Sequence, residues 1–248
     1  MRSGRSVAAR LRRDDVVIAA CVVVITALAW AYLLHVRGVM SMDMKMPWTP
    51  ADVLFAFVMW SMMMVGMMAT SATPVLLLFA SSQARRPSAG AAVATPLFGL
   101  GYLAIWVGFS ACAAITQWVA HDVALVWPST SSARVGGAVL IAVGVYQWTP
   151  LKGACLTHCR SPLGFFMTSW RDGPFGAFQM GLHHGVYCLG CCWALMAVLF
   201  VVGVMNLAWV AALAVFVLLE KIGPGVSGVA RLGGAILIVA GIVLMTGR

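Results

Sequence analysis

The chain has 248 residues, 62% hydrophobic and only 9% charged, with a mean hydropathy of +0.96 and a formal net charge of +9. A water-soluble domain carries about 25% charged residues because its surface needs them. This composition therefore excludes a soluble enzyme, a disordered protein and, despite the basic balance, a partner for nucleic acid. It predicts an integral membrane protein whose first partner is the lipid bilayer, folded as an all-α polytopic transmembrane helix bundle.

Five arginines (Arg2, Arg5, Arg10, Arg12, Arg13) precede the first apolar run. They resemble the charged head of a cleavable signal, but the run from Val16 to Leu34 is long and ends without a small-x-small cleavage pattern. It reads as a retained first span, 15–36. The loop that follows carries Met40, Met42, Met44 and Met46 around Asp43. In an extended segment, alternate residues point to one side, and thioethers are soft ligands that suit Cu(I). Met42 and Met44 therefore lie at the centre of a candidate capture site, with His35 as an accessory. Methionine as an adaptable apolar filler is the competing reading.

Ten of the sixteen methionines fall between positions 40 and 68, and the second group lies in the next predicted span, 51–81. At 100° per residue, Met59, Met62, Met63 and Met67 share a face with Gly66 and Thr70, which makes Met62, Met63 and Met67 candidate ligands. Pro74 here and Pro96 in the third span, 91–120, predict bends rather than ends. Cys21 and Cys112 stand alone in apolar runs and read as packing residues.

A fourth span is predicted over 134–149. Thr149-Pro150 then reads as an N-cap and first helical position, and Ser161-Pro162 as a stop and new start. Between them, a short interfacial helix on the cytoplasmic side would place Cys155 and Cys159 on one face, with His158 beside them. Lys152, Arg160 and the helix N-terminus would favour thiolate, the form that ligates metals.

The fifth span, 175–204, contains His183-His184-Gly185-Val186-Tyr187-Cys188-Leu189-Gly190-Cys191-Cys192. On a helix His184, Cys188, Cys191 and Cys192 form one stripe of imidazole and thiols, with His183 beside it. Intramembrane ionisable groups are expensive unless paired or functional, and Cys and His are ligands for soft or borderline metals. The sixth span, 206–220, is short, so six spans with a re-entrant piece is the alternative to seven. Glu220-Lys221 before Gly223-Pro224-Gly225 reads as a charged span end and turn, with Glu220 available to counter a buried base. The seventh span is 227–247. Counting Lys and Arg by loop with the N-terminus inside gives twelve cytoplasmic against four external, the asymmetry of the positive-inside rule. This predicts one membrane domain over 1–248, N-terminus cytoplasmic and C-terminus external.

The run Lys152-x-x-Cys155-Leu156-x-x-Cys159-Arg160-x-Pro162, followed by Gly181-x-x-His184-Gly185-x-Tyr187-Cys188-x-Gly190-Cys191-Cys192-Trp193-x-x-Met196, is similar to a bacterial family of predicted metal-binding integral membrane proteins, domain of unknown function 2182. Trp60-x-Met62-Met63-Met64-x-Gly66-Met67-Met68 and Glu220-Lys221 fit the same pattern, over roughly residues 45–245. The resemblance implies metal binding in a bacterial cytoplasmic (inner) membrane, and no particular reaction.

Together the residues point to a protein that handles Cu(I) through Met, Cys and His, for delivery to a metalloprotein, for its assembly or for transport, rather than to an enzyme. Zinc is the alternative metal. A membrane thiol–disulfide oxidoreductase using Cys188/Cys191 and Cys155/Cys159 is the alternative function; it leaves the methionines without a role.

Overall fold

The computed structural model describes residues 2–39, 48–84, 91–126, 131–204, 206–223 and 226–247. All regular structure among them is helical: α1 (Arg2–Val39), α2 (Pro50–Ala84), α3 (Ala91–Val126), α4 (Ser131–Tyr146), α5 (Pro150–Arg160), α6 (Pro162–Ser169), α7 (Gly173–Val202), α8 (Leu207–Ile222) and α9 (Val226–Thr246). Every predicted apolar segment has its counterpart in one helix, with ends that differ by a few residues. Five helices are long and apolar enough to cross a membrane, or six if the bent pair α4–α5 is counted as one span. The difference from seven has a physical reason. Helix α8 has 16 residues, about 24 Å at 1.5 Å per residue, against a hydrocarbon core of about 30 Å.

Local sequence accounts for the breaks. Helix α4 ends at Tyr146, and Thr149 caps α5 with extended backbone, its hydroxyl accepting from Lys152 N at 3.4 Å and Pro150 opening the helix. The axes of α4 and α5 meet at 62°. Ser161 closes α5 and opens α6, again before a proline. Pro74 sits inside α2. Near it, Ser71 and Thr73 return their hydroxyls to the carbonyls of Met68 and Ala69 at 2.9 and 3.3 Å, so two polar side chains of this stretch are satisfied inside the helix itself.

Glycines set the tightest helix contacts. Gly181 of α7 lies directly on the carbonyl of Phe98, and Gly101 of α3 on the carbonyl of Phe178, so a Cβ at either position would collide with backbone. Helices α3 and α7 form the most extensive pair in the bundle, and α4 with α9 the next. A Cβ at Gly144 would fall 2.7 Å from the carbonyl oxygen of Gly234, and one at Gly137 2.6 Å from that of Gly241. Such small-residue contacts drive association where lipid is as apolar as the side chains.

The core between α2, α3 and α7 is sulfur-rich. Met59, Met63, Met64, Met67, Met68 and Met196 are buried together with Trp60 and Trp106, and Met180 with Phe79 in a second cluster. Trp60 Nε1 donates to Gln117 Oε1 at 2.7 Å, which satisfies the indole deep in the bundle.

Candidate metal centre

The α7 stripe is formed as its spacing predicts: His184, Cys188, Cys191 and Cys192 are all buried. Cys188 is the hub. Its Sγ lies 3.1 Å from the Tyr102 hydroxyl of α3, and Lys221 Nζ of α8 donates to it at 3.0 Å. Cys159, Cys191 and Cys192 are buried in the same core. Cys191 Sγ also lies 3.9 Å from Cys159 Sγ of α5. Met68 Sδ of α2 completes the group at 4.0 Å from Lys221 Nζ. Four thiols from two helices and one thioether thus converge where α2, α3, α5, α7 and α8 meet.

As placed, no three His, Cys, Asp or Glu side chains among the described residues are grouped to hold a metal ion. The geometry gives the reason: Cys191 and Cys192 turn their thiols back to the Cys188 carbonyl at 3.1 and 2.9 Å. Rotation about χ1 would free each thiol from that carbonyl. The donor chemistry fits a soft ion, being thiol and thioether throughout.

The other expected ligands divide. His184 is buried one turn from Cys188, its ring packed against Phe165, Tyr102 and Phe98 at centroid distances of 5.4, 5.9 and 6.2 Å, and its Nδ1 has no hydrogen-bond partner. Cys155 is half-buried, its Sγ against Gly190, where a Cβ would approach to 2.7 Å. Met63 and Met67 are buried.

Met62 is a correction: it is 38% exposed and turned away from the centre. The arc of α2 facing α3 and α7 is centred on Trp60, Met64 and Met67, and Met62 falls beyond its edge, past Gly66, which packs on Ala29 and Trp30 of α1. His183 is also exposed, its ring tilted against Tyr187 on the outer side of α7. Met42 and Met44 lie outside the described residues. His35 is exposed, as are Cys21 and Cys112, which line the outside of the helices instead of packing within.

A second correction concerns α5. The sequence suggests an interfacial helix whose Lys152 counts among the cytoplasmic loop charges, but Lys152 is 1% exposed, and Leu156 and Cys159 are buried with it. Tyr146, at the end of α4, donates to the Gly190 carbonyl at 2.5 Å, tying the α4–α5 break to the middle of α7. Lys152 Nζ donates to Glu220 Oε1 at 2.6 Å and Oε2 at 2.8 Å, and also to Gln147 Oε1. Glu220 is therefore the counter-ion of a buried base, one of the roles open to it from sequence. Removing Lys152 and Lys221 from the loop count leaves ten basic residues against four, so the charge asymmetry does not depend on them.

Sequence reasoning missed Lys221, Tyr102 and Ser71. A signal was present for the first. The buried positions of α8 are Leu207, Val210, Leu213, Val217 and Glu220, a three- and four-residue stripe that carries Glu220-Lys221 into the interior instead of out of it.

A family model described as PpoB2, copper chaperone, matches residues 57–244, about three quarters of the chain. The chain belongs to this family. Membership agrees with the metal-related class expected from the cysteine motifs, while the family's description carries copper in place of a domain of unknown function. Residues 57–244 include α7, α5, α8 and the α2 methionines, so the matched region contains the whole sulfur centre. Neither the curated proteins nor the solved structures gave a match.

Proposed function

We propose that the protein spans a bacterial inner membrane as a single domain with its N-terminus cytoplasmic, and that it holds Cu(I) on Cys188, Cys191, Cys192 and Cys159 for delivery to a metalloprotein. Met68 adds a thioether, and His184 lines the approach one turn away on α7. Copper is cargo in this reading, so the protein is a carrier and not an enzyme. One observation carries it: the three cysteines of α7 and Cys159 of α5, 32 residues before Cys191, are buried in one core with a methionine-rich wall, in a bundle otherwise built for lipid. The copper description of the family selects among the soft metals. Zinc would be satisfied by the thiols alone and leaves the methionines without a role.

Met63 and Met67 extend the wall away from the centre along α2. With Met42 and Met44, which precede α2 in the sequence, they supply further thioethers, so that an ion passed between them would keep a soft donor. Cys155, half-exposed at the rim, is the matching thiol on the α5 side.

The test is Cu(I) binding by the full chain, purified in detergent under reductant, in competition with a Cu(I) chelator. The wild type should take up about one ion tightly. Replacing Cys188, Cys191, Cys192 and Cys159 together by Ser should lower affinity by at least 100-fold while the helical spectrum is kept. Unchanged affinity in that folded variant would overturn the assignment.

A further inference from the structure

Four converging cysteines create a selectivity problem, because a set of four thiols is also the donor set that zinc and cadmium prefer. Affinity order does not reject the wrong ion, so geometry or charge must do it. The feature that bears on this is the ammonium of Lys221. Its Nζ donates to Cys188 Sγ at 3.0 Å and to Ser71 Oγ at 2.9 Å, and Met68 Sδ lies 4.0 Å away. The other buried lysine of this region, Lys152, is matched by Glu220. Among the described residues no carboxylate oxygen lies within ion-pair distance of Lys221. Glu220 is next to it in sequence but turns its carboxylate to Lys152. The hydrogen-bond partners of this half-buried ammonium are thus sulfur and hydroxyl groups.

We infer that Lys221 is the residue that makes the sulfur centre specific for monovalent soft ions, by placing a fixed positive charge beside the ligands. This rests on the copper reading above and adds the basis of its selectivity. Repulsion between the ammonium and an ion scales with the ion's charge, so a divalent ion feels twice what Cu(I) feels at the same place, in surroundings that screen poorly. Lys221 also occupies the side of Cys188 facing Met68 and Ser71. That crowding costs little for Cu(I), which sulfur holds at low coordination number, and more for an ion that requires four ligands in a tetrahedron. Ser71 holds the ammonium in place, and its own hydroxyl is anchored on the Met68 carbonyl at 2.9 Å.

The experiment compares full-length wild type with Lys221→Gln, Lys221→Leu and Lys221→Arg in detergent under reductant. Cu(I) affinity is read by chelator competition, and Cd(II) affinity by thiolate-to-metal absorption in the ultraviolet. The Gln and Leu variants should bind Cd(II) at least 30-fold better relative to Cu(I) than the wild type does, and the Arg variant should keep the wild-type ratio. If the Leu variant fails to fold, Gln against Arg decides, since the two differ in charge while both remain polar. A Cu(I)-to-Cd(II) ratio in Lys221→Gln within threefold of wild type overturns the inference, as does an absence of Cd(II) binding in every variant. Wild-type protein that binds no Cu(I) overturns the copper reading itself and this inference with it. Cu(I) binding with an unchanged ratio removes only the role of Lys221.

Discussion

Lys152 and Glu220, on helices α5 and α8, form an ion pair at 2.6 Å with each side chain 2% exposed. Gln147, in the turn between α4 and α5, gives the same ammonium a second acceptor. The pair thereby ties the broken span α4–α5 to the end of α8. Removing one partner of a buried pair strands the other charge and costs about 3–5 kcal/mol, whereas removing both can be nearly neutral. Lys152→Met and Glu220→Gln should each lower the unfolding temperature in detergent sharply, and Lys152→Met with Glu220→Met should recover most of the loss. Additive losses in that cycle would show that the two side chains do not act as a pair.

The glycine contacts separate rigid from yielding neighbours. A Cβ at Gly181 meets the backbone of Phe98, while one at Gly190 meets only the movable thiol of Cys155. Overpacking costs typically 1–3 kcal/mol. Gly181→Ala should fall at or above the top of that range because α3 must move, and Gly190→Ala should cost less than about 1 kcal/mol if the thiol rotates aside. Alkylation rates at Cys155 should change in the second variant. Equal destabilisation by both would contradict the packing described.

The inward and outward methionines of α2 give a paired comparison. Leucine conserves bulk and removes sulfur, a swap that cores tolerate. Met62→Leu should leave Cu(I) affinity within twofold. Met68→Leu should weaken it by about tenfold, equivalent to about 1.4 kcal/mol. A loss confined to Met62→Leu would mean that α2 presents the face expected from its methionine spacing and not the one observed.

Cysteine proximity can be checked without metal. A disulfide needs an S–S distance of about 2.05 Å, and Cys159 and Cys191 stand at 3.9 Å. Mild oxidation of metal-free protein should join them through a modest shift of α5, as a cross-link between the peptides bearing these residues in a mass spectrum. Bound Cu(I) should slow the reaction. A cross-link from Cys155 in place of Cys159 would show that α5 is rotated about its axis.

Much of this architecture was legible in the residues. Apolar length marked the helices, Thr149-Pro150 and Ser161-Pro162 marked the ends of α5, and helical spacing put His184, Cys188, Cys191 and Cys192 on one stripe. The misreadings share a cause. Lys152 and Lys221 look like loop charges because a lysine in isolation belongs in water, and only a partner contributed by another helix makes burial tolerable. That partner is Glu220 for Lys152, and the Ser71 and Cys188 side chains for Lys221, and no local pattern announces such pairings. Met62 was misplaced for a related reason: methionines occur around most of α2, so their spacing alone does not say which arc faces α3 and α7.

Helix α8 is short, and its final turn sets buried Glu220 and half-buried Lys221 toward the bundle while Leu219 and Ile222 face out. The last carbonyls of a helix carry roughly half a negative elementary charge between them, a pole normally dispersed in water. Two cations stand beside it: Lys221 in the last turn itself, and Arg160, which donates to the Gly223 carbonyl at 2.9 Å at the exposed end of the helix. The end of this short helix is thus a fixed negative pole that draws positive charge to the side of the bundle where the thiols are.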